Sequence, residues 1–249
     1  MNRTAAIKSR PHLKRRVLPN GRSAASLPYA SILPSIPTSA AFRRLSGIAV
    51  RLWLLLQADY NPGHDTILPR DRAMRELEAS PHCIGAGFAE LIAAKIILKV
   101  QDGCRPGTMG SQSAGRATVY DLPDRRGLTG EWKVGGDPSF AGRWRIDVPL
   151  LRQAATDLTG PEAKLWAYLH ARDRRADGGP ASNAPLQLSP TDVAKALDLS
   201  RATVKRAMAG LVSREILRCE RPAAGRSPAT YCLTEAQTRG ASARRAKPK

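Results

Sequence analysis

Apolar positions along this chain follow one arrangement, and they follow it twice. Leu45-Ser46-Gly47, then Val50, Leu52, Trp53 and Leu56, returns as Leu158-Thr159-Gly160, then Ala163, Leu165, Trp166 and Leu169. Helical spacing puts Leu52, Trp53 and Leu56, and likewise Leu165, Trp166 and Leu169, on one face, so both tryptophans are expected in a core and not as stacking platforms. Ser46 and Thr159 suit the N-cap, where a side-chain oxygen can accept an otherwise unpaired N–H of the first turn. The likeness resumes beyond a loop, with Leu77, Ser80, Ile84, Phe88, Leu91 and Ile97 answered by Leu197, Ser200, Val204, Met208, Leu211 and Leu217. The loop is longer in the second copy, around Gly178-Gly179-Pro180, where extra chain costs little entropy.

Each copy therefore predicts a helix, a short strand (67–68 or 186–188), a helix, a tight turn, a third helix and a hairpin. The hairpin strands are expected at 98–101 and 117–120 in copy one, and at 217–220 and 229–233 in copy two, joined by turns rich in Gly, Pro and Arg. Residues 125–142 hold Gly127, Gly130, Gly135, Gly136 and Pro138 and predict a linker, with Trp132 and Trp144 placed to dock on a domain. Residues 144–148 alternate like an edge strand leading into copy two. The expected fold class is mainly α with small β-hairpins. Two tandem domains with separate cores span 41–124 and 143–235, between an amino-terminal arm at 1–40 and a tail at 236–249.

Charge narrows the partner. Across 249 residues, Lys and Arg outnumber Asp and Glu 40 to 21, a formal net charge of +19. Such an excess suits a protein that displaces counterions from phosphates. No acid precedes Asp59, whereas Lys14, Arg15 and Arg16 stand among the cations that run from Arg3 to Arg44, and after Glu235 the only charged side chains are cations. Both ends read as flexible and basic. An acid-free, Arg-rich start is also the composition of an organellar transit peptide, but prolines from Pro11 to Pro37 interrupt the amphipathic helix that reading needs. Cys83, Cys104, Cys219 and Cys232 have no two-residue spacing, and the four histidines complete no zinc pattern, so neither a metal nor another cofactor is expected. No apolar run reaches membrane-spanning length. The expected setting is the cytoplasm, in association with the nucleoid and away from membranes, with reduced thiols. Cys219 and Cys232, flanking the second hairpin, are expected as a cross-strand apolar pair.

The stretch from Asp192 to Arg206 carries the most specific pattern. Leu197, Leu199 and Val204 are spaced to lock two helices together, Ala194 permits a close crossing, and Ser200 caps the second helix. The run resembles the helix-turn-helix of the winged-helix superfamily, and the two copies together resemble tandem winged-helix domains. With Val204, Met208 and Leu211 inward, the helix turns Ala202, Arg206, Ala209 and Ser213 outward, with Thr203 and Lys205 on the flanks and Arg201 in the first turn. Arg and Lys there can donate to guanine, and Ala and Thr can approach a thymine methyl. Arg221 and Arg226 on the wing are expected to follow the backbone or enter the minor groove. In copy one the outward positions are His82, Ala86, Ala89 and Ala93, beside Gly85. That face suits a close helix approach, so Ala86, Ala89 and Ala93 are expected in self-association or a partner contact. Arg70, Arg72, Arg75, Arg105 and Arg116 are its weaker phosphate-binding candidates.

Tandem winged helices with a basic arm look like the replication initiators of plasmids and mobile elements. That resemblance implies binding to repeated origin sites in double-stranded DNA, a homodimer through domain 1 and contact with replication machinery. Transcriptional regulators of the same superfamily, which meet transcription machinery instead, are the competing reading, and a structural RNA-binding protein is a third. An enzyme is not expected: the chain lacks a phosphate-binding Gly-x-x-x-x-Gly-Lys loop, a His-x-His pair and clustered carboxylates for magnesium. Gly85-Ala86-Gly87 lacks the last glycine of a dinucleotide fingerprint.

Overall fold

The computed structural model describes residues 29–60, 66–101, 118–122, 144–172, 185–224 and 227–234. Copy one contains β1 (Tyr29–Ile32), α1 (Ser35–Thr38), α2 (Ala40–Arg43), α3 (Gly47–Asp59), β2 (Thr66–Ile67), α4 (Arg70–Leu77), α5 (Pro81–Ala93), β3 (Leu98–Gln101) and β4 (Val119–Asp121). Copy two contains β5 (Trp144–Asp147), α6 (Val148–Asp157), α7 (Gly160–Arg172), β6 (Leu186–Leu188), α8 (Pro190–Leu197), α9 (Arg201–Ser213), β7 (Leu217–Arg221) and β8 (Ala229–Leu233). The fold is mainly helical, with small antiparallel sheets in the orders β1-β5, β2-β4-β3 and β6-β8-β7. Among the described residues no helix is long and apolar enough to cross a membrane.

The repeat extends to the backbone. Glu78 and Asp198 end α4 and α8 in the left-handed region, with φ of 50° and 54°, and Lys95 and Glu215 do the same after α5 and α9, with φ of 56° and 58°. Each such residue closes a helix and redirects the chain, as a C-terminal left-handed cap does. Ser80 and Ser200 accept from the backbone N–H groups of Cys83 and Thr203, capping α5 and α9 alike. Both hairpins shift register at matching places, between Lys99 and Gln101 and between Cys219 and Arg221. The first short strand lies one residue earlier than expected, and the return strand of copy one reaches Asp121. Cys219 lies opposite Tyr231 and Cys232 opposite Arg218. Cys219 is exposed and Cys232 buried, so the expected cross-strand cysteine pair does not form.

Separate cores are not what the structure contains. One continuous cluster of buried residues runs from Ile32 and Phe42 through Trp53 and Trp166 to Leu211 and Leu217. Along α3, Ala49, Val50 and every residue from Leu52 to Ala58 are buried, and along α7 every residue from Glu162 to Leu169 is buried. One face of each helix serves its own copy while the other meets the opposite copy. Burial of β1 and α1 also shortens the expected arm: Ile32 and Ile36 are fully buried, because β1 pairs antiparallel with β5.

The joint is reciprocal. Gly47 and Gly160, which begin α3 and α7, touch backbone to backbone: a Cβ on either would lie 2.5 Å from the other's Cα. Arg51 of α3 donates from Nε to the carbonyl of Ala155 (2.7 Å) and from Nη2 to that of Thr156 (3.0 Å), at the end of α6. Lys164, at the matching position of α7, donates from Nζ to the carbonyls of Arg43 and Leu45, at the end of α2. Helix C-termini carry partial negative charge and unpaired carbonyls, so each cation meets a suitable acceptor set. Burial lowers both cations' pKa, against the opposing charges of Glu78 and Asp157 for Arg51 and of Asp198 and Glu90 for Lys164. Asp59 adds a third tie: its carboxylate meets Arg72 of α4 (2.8 Å) and Arg152 of α6 (2.5 Å).

Candidate nucleic-acid interface

The apolar side of α9 fixes what its polar side can do. Val204, Ala207, Met208 and Leu211 are buried, and on α8 Val193, Ala194 and Leu197 are buried against them. Burying the valine, leucine and methionine side chains contributes about 1.5–3 kcal/mol each, far more than the ~0–1 kcal/mol that an exposed ion pair could offer for another orientation. The helix is therefore held with Arg201, Ala202, Lys205, Arg206, Ala209 and Ser213 exposed, and Thr203 half-buried. The turn into it is ordered by Asp198 in its left-handed conformation, by Leu199 N–H donating to the Ala194 carbonyl (3.0 Å), and by the Ser200 cap. Ser200 Oγ accepts from Thr203 N (3.0 Å) and lies 2.8 Å from Thr203 Oγ1, so both hydroxyls are committed to the first turn.

A carboxylate accepts the backbone N–H just before α3 and just before α7, but by different routes. In copy one, Glu90 of α5 accepts from the Ser46 backbone N–H at the start of α3 (2.7 Å). The residue of α9 aligned with Glu90 is Gly210. There the acceptor is Glu162, within α7 itself, which takes the Thr159 backbone N–H at 2.8 Å and fills the space that a Cβ on residue 210 would need. Copy one places Ala49 at the position of Glu162. The same amide is satisfied in both copies by a carboxylate from a different helix.

Among the residues expected on the second hairpin, Arg221 is exposed, and Arg226 lies outside the described residues. Arg218 was not anticipated; it is exposed on β7, 2.7 Å from Glu220, whose carboxyl it holds below the usual range through a hydrogen bond. After buried Leu217 every residue of β7 is exposed, because β7 is the edge strand of its sheet. Lys195, exposed on α8, is a further cation near the turn that pattern reading passed over.

Copy one presents a different surface at the matching positions. Pro81, Gly85 and Ala86 stand where α9 has Arg201, Lys205 and Arg206. His82, Ala86, Ala89 and Ala93 are exposed along α5, and Gly85 is half-buried. Arg70 and Arg75 are exposed on α4, with Arg75 Nε donating to the Asp71 carbonyl (3.3 Å). Arg72 is committed to the protein: it pairs with Asp59 and with Glu76. Burial works against its charge, but hydrogen bonds and charges from Glu76 and Asp59 outweigh it and raise the guanidinium pKa. Lys14, Arg15, Arg16, Arg105 and Arg116 lie outside the described residues.

No family model, curated protein or solved structure matches this chain.

Proposed function

We propose that the chain is a sequence-specific double-stranded DNA-binding protein built from two tandem winged-helix domains, and that α9 enters the major groove. The observation that carries this reading is the free cationic side of α9: Arg201, Lys205 and Arg206 are exposed on a helix locked by its apolar side. Such a side can donate to guanine O6 and N7, while Ala202 and the Thr203 methyl suit thymine. Arg218 and Arg221 on β7 then act as wing contacts to the backbone, and the Ser200 end of the helix faces a phosphate. Copy one, with Pro81, Gly85 and Ala86 in place of the cations, contributes no comparable base reading; its α5 face is the contact for a second copy or for assembling machinery.

Replication initiation at repeated origin sites of a plasmid or mobile element is the specific role we assign. The joint between the copies supports it, because it holds the α5 contact face of copy one in a set place beside the helix assigned to the repeated sites. Selection of bound fragments from the host's DNA, followed by titration across salt, tests the assignment. Clustered repeats beside the chain's own gene are the expected result, whereas isolated operators near promoters identify a regulator. Equal affinity for any duplex and for RNA would refute specific DNA binding.

A further inference from the structure

The two copies differ in what packs against their core tryptophan. In copy one, Phe42 meets Trp53 edge-on, with ring centroids 5.2 Å apart and planes at 75°. In copy two, Ala154 and Ala155 stand at the positions of Ala41 and Phe42, and α6 carries no aromatic residue. Trp166 meets His170 (4.3 Å between ring centroids) and also borders a cavity of about 160 Å³. Leu150, Ala154, Leu158 and Ile216 complete an apolar wall with the indole, and Gln153, Asp157 and Arg214 supply the polar groups.

Size and chemistry together define an occupant. An apolar cavity of roughly 150 Å³ is large enough to take a single benzene ring. Arg214 Nε lies 4.0 Å from the Glu162 carboxylate, and Asp157 Oδ1 accepts from Thr156 Oγ1 at 2.7 Å. A guanidinium nevertheless has five N–H donors, a carboxylate about four acceptor sites, and the Gln153 amide can do both, so a ring with one hydrogen-bonding edge is better matched than a hydrocarbon. The cavity lies where copy two can transmit its occupancy. Arg214 is the C-cap of α9 and Ile216 leads into β7, while Asp157 ends α6, whose last carbonyls hold Arg51 of copy one.

We propose that this cavity binds a small aromatic molecule carrying one polar edge, and that the bound ring fixes the angle between α9 and α6. The second half rests on α9 being the DNA-reading helix; the first does not. The test is a titration of the full chain with indole, followed by amide and indole N–H resonances in two-dimensional NMR. Saturable shifts at Trp166, Ile216 and Arg214, with intermolecular NOEs from the indole ring to Leu158 and Leu150, are expected. Ala154→Phe should fill the space and weaken binding by about tenfold or more. Ala154→Met, a smaller change, keeps the test open if the phenylalanine variant does not fold. Absence of saturable shifts, NOEs to other residues, or undiminished binding in a folded variant overturns the site. Indole should also change affinity for the selected DNA in the wild type and not in the variants. Unchanged DNA affinity with indole bound overturns the coupling alone, while a wild type that binds indole but no DNA refutes the function proposed above and leaves the cavity assignment standing.

Discussion

Glu90 and Glu162 solve one problem from two positions, and the exchange makes a sharp prediction. Each accepts an N-cap backbone N–H that its helix cannot satisfy. Removing such an acceptor costs about 1 kcal/mol, more where the amide is left buried. Glu90→Gly should therefore lower the stability of the chain by roughly that amount in urea denaturation, and adding Ala49→Glu should recover most of the loss by reproducing the copy-two arrangement. Additive losses in the double variant would show that the two carboxylates are not interchangeable. A second residue sets an acid limit. Burial pushes the His170 imidazole down to about 3 from its ordinary 6.5. Above pH 6.5 it is neutral in folded and unfolded chains alike and contributes no pH dependence. As the pH falls from 6.5 toward 3, the unfolded chain takes up a proton that the folded one refuses, so stability drops by up to about 1.4 kcal/mol per pH unit. His170→Phe should remove that slope from denaturation curves taken between pH 7 and pH 5; an unchanged slope would place the acid sensitivity elsewhere.

Helices α3 and α7 show where sequence patterns stopped being informative. Helix α9, its Ser200 cap and its outward residues were legible because an amphipathic helix packed on one side writes its own period into the sequence. The buried side of α3 that faces copy two was not. The helical pattern marks one face, Leu52, Trp53 and Leu56, yet Val50, Leu54 and Leu55 are fully buried too, and Gly47 and Arg51 meet the second copy through a backbone contact and carbonyl acceptors that leave no apolar period. Strand β1 was hidden for a related reason: its partner β5 is distant in sequence, and the basic composition of the first 40 residues suggested an arm. The Glu90 and Glu162 exchange was invisible to position-by-position comparison of the copies, since neither position keeps its residue. The helix contact itself depends on glycine. Gly47→Ala or Gly160→Ala should cost at least about 1–3 kcal/mol, as overpacking at a backbone contact does. Gly85→Ala, with nothing within 4 Å of a new Cβ on an α5 interior site, should stabilise by about 0.5–1 kcal/mol. Thermal unfolding of the three variants separates the cases, and equal losses at Gly47 and Gly85 would contradict the close crossing.

At the scale of the whole molecule, the duplication has produced an internal pair instead of two independent beads. Arg51 and Lys164 exchange equivalent bonds, the glycines meet at the crossing, and β1 and β5 close the same joint. An isologous contact of this kind is what two-fold partners normally share between chains. The two halves should therefore unfold in one transition, with the same midpoint by far-ultraviolet circular dichroism and by tryptophan fluorescence. Two separated midpoints would restore the independent domains that the sequence suggested. The joined pair also gives α9 a platform packed from both copies, and the DNA-binding proposal turns on whether α9 touches a duplex through Lys205 and Arg206. The decisive measurement is the affinity for a selected DNA site across a salt series, for the native chain and for the Lys205→Ala, Arg206→Ala double variant. The account predicts that the variant loses preference for its site over unrelated duplex while the log–log salt slope stays close to that of the native chain, because these two side chains are assigned to bases and the phosphate contacts to Arg218 and Arg221. Retained preference for the site, or a uniform loss of affinity for all duplexes with a slope shallower by about 2, would contradict it.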